Sequence, residues 1–163
     1  MRTGVRVGID VGTVRIGVAR SDFHGMLATP VETVPRHRAG AQPATTPPAD
    51  LARLVMIVAE LDAVEVIVGL PLALSGRHTA STEDAVTFAD ALAGLLPVPV
   101  RLVDERLSTV SAQAALRTSG RSTRTQRPVV DQVAATIILQ HALDTERASG
   151  KPAGAPVEQT GRP

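Results

Sequence analysis

Apolar residues alternate with others along residues 4–10 (GVRVGID), which predicts a strand with Val5, Val7 and Ile9 on one face and Arg6, Gly8 and Asp10 on the other. Gly12 and Thr13 read as a turn into a second strand at 15–20 (RIGVAR), and 26–34 reads as a third, placed at a sheet edge by Pro30. Leu51, Leu54, Val55, Val58 and Leu61 recur at helical spacing, so 48–61 is expected to be an amphipathic helix, with Thr46 as N-cap and Pro47 at its first position. The β-branched run at 63–70 suits a strand covered on both faces.

Ser81, with Glu83 and Asp84 behind it, is expected to open a helix whose stripe is Ala85, Phe88, Ala89 and Leu92. A fifth strand follows at 98–105. A short helix is expected from Ser108 or Thr109 to Gly120, and a last one over 129–147 with Ala134, Ala135, Ile138, Ala142 and Leu143 facing inward. The order β-β-β-α-β-α-β-α-α predicts an α/β fold. Its mixed five-stranded sheet has three antiparallel and then two parallel strands, with helices on both faces. Residues 1–147 read as a single domain. Residues 148–163 carry no large apolar residue except Val157 and are expected to be a disordered tail.

Composition narrows the chemistry. The 163 residues are 44% hydrophobic and 20% charged, enough for one packed core. With no cysteine, disulfides and thiolate metal sites are excluded. No apolar run approaches the roughly 18 residues of a membrane span, and no signal-like segment opens the sequence, so a soluble, cytoplasmic protein is expected. Phe23 and Phe88 are the only aromatics, which argues against stacking bases on rings. Net charge is only +1, yet Arg106, Arg117, Arg121, Arg124 and Arg127 fall in one stretch without an acid, suiting a phosphate-backbone partner.

Two acids end strands, Asp10 and Glu105, and Asp131 is expected to open the last helix. In an open α/β sheet, functional groups gather at the carboxyl ends of neighbouring strands, and a helix on the sheet can bring its first turn to the same edge. Two carboxylates about 4 Å apart repel by roughly 4 kcal/mol at an effective dielectric of 20, so such a trio calls for a cation. All-oxygen ligands favour Mg²⁺ or Mn²⁺, and two such ions about 3.5–4 Å apart can clamp the attacking and leaving oxygens of a phosphodiester. Each acid also has an ordinary explanation. Asp10, at a strand end two residues before Gly12, suits a turn, Asp131 suits a helix N-terminus, and Glu105 lies in an Asp-Glu-Arg charge cluster.

Four segments, GIDVGTVRIGVARSD at 8–22, VIVGLP at 66–71 with Gly76 beyond it, VDERLSTVSA at 103–112 and VDQVAATIILQ at 130–140, resemble in order and spacing the YqgF/RuvX family of ribonuclease H-like proteins. The resemblance spans roughly residues 4–145 and implies the ribonuclease H-like fold. It also implies that Asp10, Glu105 and Asp131 are the catalytic, metal-binding acids. The family is described both as Holliday junction resolvases and as the nuclease that matures the 5′ end of precursor 16S ribosomal RNA. This chain departs from the pattern in an arginine-rich loop at 119–128 and a Pro-rich segment near 40–48.

Thr13, Arg15, Arg106, Arg121, Arg124 and Arg127 are the candidate nucleic-acid contacts, each also explicable as turn or surface polarity. The loop at 69–80 can offer backbone amides to a phosphate, as many strand-to-helix loops do. GIDVGT also resembles the phosphate hairpin of actin-like kinases, but one domain is too short for their two-domain nucleotide clamp. A non-catalytic ribosome-assembly factor that binds RNA stays open, as do monomer and homodimer.

Overall fold

The computed structural model describes residues 1–37, 47–106 and 123–158, with backbone only for 123–129. The sheet contains β1 (Arg6–Val11), β2 (Arg15–Ser21), β3 (Ala28–Pro35), β4 (Glu65–Leu70), β5 (Val100–Asp104) and β6 (Ala155–Pro156), in spatial order β3-β2-β1-β4-β5-β6. β1, β2 and β3 form the antiparallel meander, β4 and β5 run parallel to β1, and β6 returns antiparallel to β5. Pro30 does lie on the edge strand, where the β2–β3 register shifts at Val18/Ala19.

Strand alternation divides the core in two. Val7, Ile9, Ile16, Val18, Val66 and Val68 point to the face covered by α1 (Ala49–Glu60) and α2 (Ala80–Leu95), against Leu54, Ile57, Phe88 and Leu92. On the other face Ala19, Ile67 and Val103 pack under α3 (Thr123–Ser149), through Ala135, Ile138, Leu139, Ala142 and Leu143. Helices therefore lie on both faces, as the sequence pattern implies.

Several boundaries differ from expectation. α1 begins at Ala49 after Pro48, and α2 is capped by Thr79 rather than Ser81. The Thr79 side chain accepts from Thr82 N–H while the Thr79 backbone N–H donates to the Thr82 hydroxyl oxygen. α3 already runs from Thr123, through Pro128, so Asp131 lies about two turns inside the helix rather than in its first turn. The short helix expected near 108–120 and most of the Pro-rich segment, 40–46, lie outside the described residues.

The expected five-stranded sheet has six strands, and the expected disordered tail is structured through residue 158. Hydrophobic patterning misses this segment because backbone groups hold it. The N–H of Val157 donates to Val100 O at 2.8 Å, and the Arg101 guanidinium donates to the carbonyls of Ala153 and Gly154, both at 2.8 Å. Gly154 adopts φ +71, and a Cβ there would lie only 2.0 Å from Leu102 O. The open edge of β5 is thus covered by a segment needing almost no apolar side chain.

Candidate active site

Asp10 is the fifth residue of β1 and faces the α3 side, since its neighbour Ile9 is buried in the opposite core. Its partner in the antiparallel ladder is Gly17, and a Cβ built on Gly17 would meet the Asp131 carbonyl oxygen at 1.9 Å. α3 therefore crosses directly over the Asp10–Gly17 pair. The Arg15 guanidinium, two residues earlier on β2, donates through Nε to Asp131 Oδ2 at 2.8 Å.

Glu105 follows the last residue of β5, where its N–H donates to Leu70 O at 3.3 Å, keeping it in the parallel ladder's path. Its side chain turns inward beneath α3. A Cβ on Gly69 would sit 2.3 Å from Glu105 Oε2 and 2.7 Å from Ile138 Cδ1. Glu105 is only 9% exposed, and Oε2 is buried without a hydrogen-bond partner among the described residues. The neighbours separate from it: Asp104 and Arg106 point outward and pair with each other at 2.6 Å. The solvated ion pair in this tripeptide is thus theirs, and Glu105 has no share in it.

Burial pushes the Asp10 carboxyl up to about 6, with the charge of Asp131 adding to the effect. Glu105 is pushed up to about 8, first by burial and then by the charges of Asp10 and Asp104. Asp10 thus couples electrostatically to both other acids. Among the described residues, however, no three Asp, Glu or His side chains are drawn close enough to form a ready-made metal cage. Asp131 is turned to Arg15 instead. The donor set is all carboxylate oxygen with one orphaned buried oxygen, which suits a hard divalent cation and excludes a thiolate-dependent one.

The remaining candidates fall into four groups. Thr13 is exposed on the β1–β2 turn. Arg106 donates to Asp104 and, at 3.2 Å, to Leu74 O, and with Leu74, Asp104 and His141 it lines a pocket of about 400 Å³. Arg121 and the side chains of Arg124 and Arg127 lie outside the described residues. In the β4–α2 loop, the amides of Ala73 and Gly76 already donate to Arg77 O and Ala73 O, and His78 is exposed.

The close approach of α3 depends on three strand glycines, Gly8, Gly17 and Gly69, none of which apolar patterning singles out. The signal was present: a glycine inside a strand marks a place where another backbone or side chain comes close.

A family model described as RuvX, Holliday junction resolvase, matches residues 4–145. The chain belongs to the RuvX family. A curated relative from Leifsonia xyli subsp. xyli, named "Putative pre-16S rRNA nuclease", is 65% identical over 158 residues, covering 97% of each chain. One of the same name from Clavibacter michiganensis subsp. michiganensis is 63% identical over 155 residues, covering 95% of this chain and 92% of the relative. Among solved structures, T. thermophilus RuvC in complex with a Holliday junction substrate superposes with a TM-score of 0.52 at 16% identity, covering 94% of this chain and 99% of that one. At that identity the likeness is one of fold. No helix among the described residues of this RuvX member is long and apolar enough to cross a membrane.

Proposed function

We propose that this chain is a cytoplasmic, metal-dependent nuclease that hydrolyses phosphodiesters of structured RNA, acting in maturation of the 5′ end of precursor 16S ribosomal RNA. The observation that carries this reading is the buried, unpartnered Oε2 of Glu105 beneath α3, a carboxyl raised by burial and by the charge of Asp10, which is itself raised by burial and by the charge of Asp131, so that added positive charge at this edge would relieve all three. The RNA substrate rests on the names borne by relatives more than 60% identical to this chain.

Asp10, Glu105 and Asp131 would hold one or two Mg²⁺ or Mn²⁺ ions, whose chemistry there is to lower the pKa of water and neutralise charge building on the phosphate. The protein supplies the rest. A bound cation would favour the ionised form of Glu105, whose proton would pass to solvent. Arg15, held 2.8 Å from Asp131, is within reach of a phosphate at the same edge and can exchange one anionic partner for another. Thr13 offers an exposed hydroxyl on the same turn, and Arg106, Arg121, Arg124 and Arg127 would grip flanking phosphates.

The family description favours a second reading, cleavage of four-way DNA junctions. That activity needs two active sites related by two-fold symmetry, whereas trimming an RNA end needs one. The deciding experiment presents precursor 16S RNA and a four-way junction, each with Mg²⁺ or Mn²⁺, to wild type and Asp10→Asn. Wild type is expected to cut the RNA and the variant to leave it intact. Equal cutting by both sinks the nuclease proposal. Binding of RNA by both without cleavage supports the assembly-factor alternative.

A further inference from the structure

The β1–β2 turn carries Thr13 and leads from Asp10 to Arg15, yet Thr13 and Val14 are exposed, and the turn is closed on itself by one bond, Gly12 N–H to Arg15 O at 2.9 Å. What holds it comes from Arg36, just beyond β3. The Arg36 backbone N–H donates to Val14 O at 2.9 Å, and its Nη1 donates to Gly12 O at 2.8 Å. One residue thus grips both arms of the turn.

The guanidinium is itself fixed from the helical side. Asp84 in α2 accepts from Nη1 at 2.8 Å and from Nη2 at 3.0 Å, a bidentate fork. The guanidinium carbon stands 5.2 Å from the centre of the Phe88 ring, also in α2. Asp50, in the first turn of α1, lies 3.6 Å from Arg36 Nε and accepts the backbone N–H of His37 at 3.0 Å. The turn at the carboxylate edge is therefore tied to the two helices on the far side of the sheet, while Arg15 ties it to α3 above.

We propose that Arg36 is a positioning residue for the nuclease site, locking the β1–β2 turn to α1 and α2 so that Asp10 and Arg15 face Asp131 on α3. It touches no reacting atom. The inference rests on the proposed nuclease activity for its kinetic consequence, but its physical content, a rigid turn, stands separately. A lysine cannot replace it, because one ammonium cannot hold the Gly12 carbonyl and fork Asp84 in the same plane.

The test compares wild type with Arg36→Lys, Arg36→Met and Asp84→Asn, each shown to be folded at the assay temperature. Backbone amide dynamics of residues 12–15 are read by NMR, and cleavage of precursor 16S RNA is read as kcat and KM. Arg36→Met is expected to raise the mobility of the 12–15 amides selectively and to lower kcat by roughly 10- to 100-fold with KM within about threefold, since misplacing a reacting group acts on turnover. Arg36→Lys should resemble Arg36→Met, and Asp84→Asn should fall between it and wild type. Unchanged amide dynamics at 12–15 in all three variants overturns the positioning role. If wild type cuts nothing while those amides loosen, the positioning holds and the nuclease reading fails instead.

Discussion

Gly17 in β2 lies so closely beneath Asp131 that a methyl group on it would stand 1.9 Å from the Asp131 carbonyl oxygen. Contact with backbone leaves no flexible side chain to move aside, so Gly17→Ala must lift α3 from the sheet at the point where Asp131 meets Asp10 and Arg15. Overpacking of this kind costs about 1–3 kcal/mol, occasionally more. The expected result is a lower denaturation midpoint together with loss of cleavage in the molecules that remain folded. Gly94 in α2 has nothing within 4 Å of the equivalent position. Gly94→Ala should therefore raise stability by about 0.5–1 kcal/mol at unchanged activity. If the two substitutions behave alike, the close approach of α3 is not what restricts residue 17.

The raised carboxyls of Asp10 and Glu105 fix the sign of a pH dependence. Their ordinary values are 3.8 and 4.5, and in the fold they are pushed up to about 6 and about 8. The folded, metal-free protein therefore binds more protons than the unfolded chain, and its stability falls as pH rises from about 5 through 8 before levelling off. The carboxyls held low by arginine partners, Glu32, Asp84 and Asp104, act in the opposite sense, but only in more acidic solution. Thermal unfolding with and without Mg²⁺ or Mn²⁺ checks this. The cation should raise the midpoint more at pH 8 than at pH 5, because at pH 5 it competes with protons. Glu105→Gln should be more stable than wild type at pH 8 without metal and respond less to it. A midpoint in metal-free wild type that climbs from pH 5 to 8 contradicts the account.

Arg15 bridges the turn to Asp131 while half-buried, so it can exchange that partner for a phosphate. Each phosphate neutralised adds about 0.7–0.9 to the slope of log affinity against log salt. Arg15→Gln should weaken binding of precursor RNA and flatten that slope by roughly this amount. Binding measured across a salt series decides it: an unchanged slope leaves Arg15 a structural partner of Asp131 alone.

Much of this was legible in the chain because period and burial agree. The split of β1 into Val7 and Ile9 on one side and Gly8 and Asp10 on the other follows from strand alternation. The inward stripe of α3, from Ala134 to Leu143, follows from helical spacing. Asp10 and Glu105 are legible as strand ends, whereas the grouping of both with Asp131 comes only from the ordered motifs. Other features rest on backbone contacts that apolar patterning does not register. The pairing of β6 uses carbonyls and the Arg101 guanidinium, so a segment poor in large apolar residues reads as tail. The proline at 128 suggests a helix start that the structure places earlier, at Thr123, which moves Asp131 from the helix end to its interior. Arg36 stands beside a Pro-rich segment, and nothing local distinguishes it from a loop cation. Only the fold brings Gly12, Asp84 and Phe88 around it.

The opposite edge of the sheet carries a charge cluster whose removal separates stability from chemistry. Arg6, 1% exposed, donates Nη1 to Gly4 O at 2.9 Å and Nη2 to Arg2 O at 2.7 Å, and pairs with Glu146 at 3.3 Å near the end of α3. Arg2 joins Glu146 to Glu65, the residue paired with Arg6 in the β1–β4 ladder. Burial lowers the pKa of the Arg6 guanidinium, with Glu146 the main opposing influence, followed by Glu65 and Asp22. Glu146→Gln removes the direct ion-pair partner of a buried cation and leaves only the more distant charges of Glu65 and Asp22, a change that costs up to about 3–5 kcal/mol in comparable sites. Denaturant unfolding should register a loss of that order. Asp10 stands at the other end of β1, so kcat per folded molecule should stay within about twofold of wild type while the midpoint falls. A variant as stable as wild type would mean that the Gly4 and Arg2 carbonyls alone suffice to hold Arg6.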